Sequence, residues 1–236
     1  MRTFSGKLII IVLLVALVGL LSWAILSLPF HGASLRAQVF GNLGNSGVSN
    51  PVTAVLLNFR GYDTLLEIVV LFLAALGAWS LGIVRLPDTM HPARPFLLAL
   101  LRILLPAMVL AAGYLLWAGA HAPGGAFQAG AVLGSAGILL LLTEVQLASI
   151  ITNWPLRIAL TAGVVVFTGV ALGTMILGGH LLEYPRGWAG TLILLIESVA
   201  AFSTGITLVV LFIGGRPSKS DPSVALKTPE ERKEQL

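Results

Sequence analysis

Long apolar runs dominate this sequence and set what it can fold into. LIIIVLLVALVGLLSWAILSL fills positions 8–28, and comparable stretches recur at 62–84, 96–118, 127–150, 156–178 and 188–213. Crossing the hydrocarbon core takes about 20 apolar residues as a helix. Runs of that length, repeated, exclude an outer-membrane barrel, whose strands are short and alternate in polarity. The expected fold is all-α: a polytopic membrane helix bundle of about six transmembrane helices. Composition agrees, since 57% of residues are hydrophobic and only 10% charged, against roughly a quarter charged in soluble domains.

The basic residues set the topology. Arg2 and Lys7 precede the first run, which exceeds the roughly 7–15 apolar residues of a signal peptide and reads as an uncleaved span. Six spans put both termini on one side, with Arg2, Lys7, Arg85, Arg94, Arg157, Arg216 and Lys219 inside and Arg36 and Arg186 outside. That is the positive-inside bias for an N-in, C-in chain, and a seventh span would spoil it. A loop at 29–50, rich in Gly, Ser and Asn, lies outside, and 214–236 forms a polar cytoplasmic tail. The net charge of +4 is spread over loops and tails rather than gathered in a stripe, so nucleic acid is not a partner.

Cysteine is absent, which excludes disulfides, thiol catalysis and Cys-ligated clusters. The four histidines, His31, His91, His121 and His180, lack the spacing of a metal site. With no Ser-His-Asp pattern and no phosphate loop, the chain carries no catalytic constellation and no cofactor of its own. Any redox cofactor belongs to another polypeptide.

Ionisable groups near or within the spans are therefore the candidate functional residues. Asn50 and Pro51 suit a helix start, but one helix over 51–84 would measure about 50 Å, too long for a core of about 30 Å. A break is expected near Arg60-Gly61. Beyond it, Arg60, Asp63 and Glu67 share a helical face, with Arg60 pairing Asp63 at i,i+3 and leaving Glu67 freer to change protonation. This arrangement suits a proton or cation relay, or else anchors a helix end at the interface. Arg102 and Glu144 are equidistant in sequence from Pro123, so across a hairpin they either pair or snorkel separately. Glu197 enters the last span with no basic residue at matching depth. It must be protonated, paired with another chain, exposed to a hydrated cavity, or held in a structural hydrogen bond near Ser198, Ser203 and Thr204. Gly130, Gly134, Gly137, Gly169 and Gly173 offer small-residue steps for close helix packing.

The stretch NFRGYDTLLE at 58–67 resembles the motif near the C-terminus of the large A subunit of Mrp-type multisubunit cation/proton antiporters. HAPGGAFQAG at 121–130 is similar to a turn of the Mrp-type B-subunit family. The chain departs from these patterns at Asn58 (Asp in the family), Leu66 (Gly), Ala126 (the third Gly) and His121, one residue closer to the proline. The resemblance implies an A-subunit-like membrane domain at 1–95 fused to a B-subunit-like four-helix domain at 96–213, in a prokaryotic cell (inner) membrane. It also extends to membrane modules of membrane-bound hydrogenases.

On this basis the chain is expected to be a transport subunit that helps conduct protons or Na⁺, with other antiporter-type or redox-complex membrane subunits as partners. Glu67 is the main ion-path candidate, Glu197 and Glu144 are secondary, and Asp63, Arg60 and Arg102 lie beside them. The alternative is a structural membrane arm of a redox-driven pump. An independent transporter ranks lower, because the sequence shows no inverted repeat.

Overall fold

The structure, a computed structural model, describes residues 2–27, 35–85, 95–142, 154–177, 179–185, 187–214 and 216–218. Helix α1 covers Arg2–Leu26, α2 Leu35–Asn42, α3 Pro51–Ala54, α4 Gly61–Ser80, α5 Pro95–Gly119, α6 Ala126–Leu142, α7 Trp154–Ile176 and α8 Ala189–Ile213. Five helices among the described residues are long and apolar enough to cross a membrane, and Ala126–Leu142 is a shorter apolar helix. The protein is an all-α, multi-pass membrane bundle.

The chain divides into two compact units, Met1–Gln38 and Val39–Leu236. In the first, α1 is exposed from Leu8 to Leu26 and apolar on every side, a surface suited to lipid. In the second, α8 is the central helix. It packs against α6, α7, α4 and α5, burying Ile193, Ile196, Ala200, Ala201 and Val210.

Small residues let α6 and α8 approach backbone to backbone. A Cβ added to Gly130 would lie 2.9 Å from the Ala201 carbonyl oxygen, and one on Gly134 would lie 3.1 Å from that of Gly205. Gly137 likewise meets Val209. The expectation for Gly169 and Gly173 is corrected: open space surrounds both, and the close contact on α7 is made by Gly163 against Ser203 and Ile68. Gly169 and Gly173 follow Gly163 by six and ten residues, and a 3.6-residue period carries both off that face.

Strand β1, Ile83–Arg85, pairs in parallel with β2, Arg216–Ser218. The pairing brings together the chain just after α4 and just after α8, so those helices finish at one end of the bundle. That agrees with the same direction of crossing for both. The opposite end, on the expected outer side, is joined by side chains bonded to loop carbonyls. Asn50 donates through Nδ2 to the carbonyls of Gly119 (3.1 Å) and Ala122 (2.8 Å), and Thr53 donates to Gly119 as well.

Between α7 and α8, the Tyr184 hydroxyl donates to the Leu57 carbonyl at 2.8 Å. Tyr184 is buried, and burial pushes its phenol above the ordinary value because the phenolate loses hydration. The folded state therefore favours the neutral phenol. This contribution is complete below about pH 10, the unfolded value, and is lost as pH climbs above it toward the folded value. Tyr184→Phe is expected to cost about 1–2 kcal/mol at neutral pH and to remove part of the alkaline loss of stability. Unfolding midpoints of both proteins at pH 7.5 and 10.5 check this.

Candidate functional site

Two places gather the polar groups of the bundle. The first is the break before α4. Asn50 caps α3 by accepting from the Val52 amide at 3.0 Å, with Pro51 in the first turn. Residues Val55–Phe59 then widen into a π turn, closed by the Arg60 amide on the Val55 carbonyl at 2.7 Å. Arg60 itself leaves helical geometry, and α4 starts at Gly61. The expected break near Arg60-Gly61 is present, and the π turn accounts for it. Two carbonyls there take side-chain donors: Leu56 from Thr64 at 2.6 Å, and Leu57 from Tyr184.

The residues of 58–67 divide between two faces. Asn58 donates through Nδ2 to the Ser46 carbonyl at 3.3 Å; an ionised Asp, the residue of the resembled pattern, has no proton to give. Gly61 faces Leu182 so closely that an added Cβ would collide with it. Thr64 is buried. These three hold the break. On the other face, Arg60 and Asp63 form the expected ion pair at 2.7 Å, with side chains 62% and 43% exposed. Glu67 is also exposed, one turn further into the span and turned away from the bundle core.

The second place is Glu197 on α8, only 4% exposed. Its carboxyl accepts a hydrogen bond from the Ala126 amide, the first residue of α6. The sequence offered this residue no obvious partner. The partner is a helix N-terminus, whose amides suit an anion. Helix α6 begins after Pro-Gly-Gly, with none of the Ser, Thr, Asp or Asn that would cap it locally, so α8 provides the acceptor its first turn requires.

The turn is built for this contact. Gly125 adopts φ +116°, and a Cβ there would approach Glu197 Oε1 to 3.0 Å. A Cβ on Gly124 would run into the Leu115 carbonyl oxygen, which already accepts from the Gly125 amide at 2.9 Å. Ala126, standing where the resembled pattern has a third glycine, is accommodated with its amide on Glu197 and its methyl buried.

Above this turn opens a cavity of about 980 Å³, lined by Glu197, His121 and Trp117 together with Gly47, Ile193 and Leu194. The His121 and Trp117 rings are 5.9 Å apart. Sequence reasoning missed Trp117 and left His121 as a boundary residue. The signal that was available is the uncapped start of α6, since a helix opening inside a membrane must find an acceptor for its first amides.

Of the other candidates, Arg102 is exposed on α5. Glu144 lies outside the described residues, as do His31 and His91. Among the described residues no group of three or more His, Asp or Glu is placed to hold a metal ion.

Residues 96–214 match the family described as a domain related to the MnhB subunit of Na⁺/H⁺ antiporter. Residues 2–92 match the family of the E subunit of MBH. No curated protein matches the chain. Among solved structures, the fold recurs in a chain of the membrane-bound sulfane sulfur reductase, an archaeal respiratory membrane complex. There the TM-score is 0.64 at 23% identity, over 88% of this chain and 97% of that one. It recurs also in a chain of the Mrp complex from Dietzia sp. DQ12-45-1b, with a TM-score of 0.59 at 24% identity, over 89% of this chain and 26% of that one. At these identities the two structures speak to the fold.

Proposed function

This chain belongs to the family of domains related to the MnhB subunit of Na⁺/H⁺ antiporter, and from that premise we propose that it is a membrane subunit of a multisubunit Na⁺/H⁺ antiporter complex. It contributes to proton or cation conduction and to assembly, performs no catalysis of its own, and resides in a prokaryotic cell (inner) membrane. The observation that carries this reading is Glu197, a carboxyl almost fully buried in the bundle yet bordering an open cavity on the expected outer side. An intramembrane carboxyl reached from water is the ordinary equipment of an ion path.

Glu67 takes the other half of the proposal. An ionised carboxylate costs several kcal/mol against lipid, so its exposed position on α4 favours a neighbouring subunit or a hydrated seam over hydrocarbon. Arg60 is engaged by Asp63, which leaves Glu67 the group that passes a proton or cation across that seam. Arg102 and Glu144 are the remaining path candidates. The division into 1–95, 96–213 and 214–236 is a proposal about ancestry rather than packing, since α4 packs against α7 and α8.

The test is made on the complex co-expressed with its partners and sealed into vesicles. Glu67→Gln is expected to slow ion-driven pH change by roughly tenfold or more, with the complex intact on a native gel. Unchanged transport removes Glu67 from the path. A second reading, a structural membrane arm of a redox-driven complex of the hydrogenase kind, is favoured by the match of residues 2–92 to the E subunit of MBH. Under it the same substitution chiefly costs assembly, visible as partners missing from the gel.

A further inference from the structure

The cavity over Glu197 is larger than an ion path requires. At about 980 Å³ it stands at the upper end of small-molecule sites, where one water occupies about 30 Å³. Its walls include Phe40, Leu43, Ile193 and Leu194, and among the described residues no lysine or arginine lines it. Glu197 contributes an acceptor group that is 4% exposed. The Ala126 amide uses one of the roughly four lone-pair positions of an ionised carboxylate. Trp117 presents an indole to the same space and is 65% exposed, so its ring is open to an occupant.

These features select a ligand by exclusion. An anion meets the Glu197 carboxyl, and among the described residues His121 is the wall's one group able to carry a positive charge. A neutral apolar molecule fills the volume but offers no donor to the buried Glu197 carboxyl, at a cost of about 1–3 kcal/mol. A hydrated alkali ion keeps its water and makes no use of the apolar walls. What satisfies every surface is a small organic monocation, with an ammonium or amidinium head toward Glu197 and an apolar body along Phe40 and Leu194. An aromatic face within about 6 Å of such a head adds a cation–π attraction.

We propose that this cavity is a binding site for a small organic cation, with the Glu197 carboxylate as counter-ion and Trp117 as its aromatic wall. The proposal rests on the reading that the cavity over Glu197 is functional, and it adds a ligand class to that reading.

The test uses the assembled complex in lipid nanodiscs, with benzamidinium as probe and benzamide as its neutral counterpart, followed by isothermal titration. Wild type is expected to bind benzamidinium saturably and benzamide at least about tenfold more weakly, the difference a charge-assisted contact makes. Glu197→Gln keeps an acceptor for the Ala126 amide, so it preserves the cap of α6, and it is expected to weaken benzamidinium by roughly tenfold or more. Trp117→Leu is expected to weaken it by roughly threefold, consistent with a partly exposed cation–π contact.

Equal binding of benzamide, no saturable binding to wild type, or unchanged affinity in Glu197→Gln each overturns the proposal. Vesicle transport by Glu197→Gln, measured in parallel, separates the two readings. Lost transport with no cation binding in wild type leaves an ion path and overturns the ligand site. Cation binding that depends on Glu197 with normal transport upholds the site and overturns the path.

Discussion

Replacing Asn50 by alanine lowers the stability of the folded chain by about 3–5 kcal/mol, because three hydrogen bonds end on this one buried amide. Its Oδ1 caps α3 through the Val52 amide, and its Nδ2 serves the carbonyls of Gly119 and Ala122 across some seventy residues of sequence. Asn50 is 8% exposed, so water does not readily replace what is lost. Asn50→Asp separates the contributions. It keeps the cap acceptor but offers two carbonyls a carboxylate in place of a donor, and it is expected to be at least as damaging as alanine. If Asp restores stability in fluorescence-detected unfolding, capping dominates and the ties between loops contribute little.

Gly124→Ala has an effect of comparable size, expected at about 3 kcal/mol or more, the range of overpacking that cannot relax. The atom in the way of the new methyl is the Leu115 carbonyl oxygen. It cannot retreat without breaking the bond it receives from the Gly125 amide. The turn must open, and the start of α6 moves away from Glu197. The expected readout is lowered yield of folded protein and a lower unfolding midpoint. Gly169→Ala, in open space, serves as the control and is expected to be neutral or slightly stabilising, as helix propensity favours alanine over glycine. Equal damage from both substitutions excludes the turn as the cause.

The helices were legible because a membrane leaves few options for backbone hydrogen bonds, and a run such as 8–28 has no other stable form. The break at Arg60-Gly61 followed from length together with Gly61, and the Arg60–Asp63 pair from helical spacing. What the sequence could not show was any contact that depends on how helices rotate and dock. Gly163 rather than Gly169 meets α8 because of a rotation about the axis of α7. Glu197 meets Ala126 because α8 reaches past the start of α6 in depth, and no local pattern encodes that overlap. The π turn also lay beyond reach, since Val55–Phe59 reads as ordinary apolar helix until Tyr184 and Thr64 arrive to bond its neighbouring carbonyls.

The seam between α6 and α8 joins two unlike contacts. Gly130 and Gly134 lie against the carbonyls of Ala201 and Gly205 and against the Thr204 and Leu208 side chains, a close apolar fit that sets how near the two helices stand. The Glu197–Ala126 hydrogen bond adds a polar tie at one end of that fit, and a charge-assisted bond weakens when its acceptor loses its charge. The charge carried by residue 197 and the hold of α8 on the start of α6 are therefore linked. By that linkage the arrival or departure of a single positive charge at this carboxyl loosens or tightens the outer end of the seam.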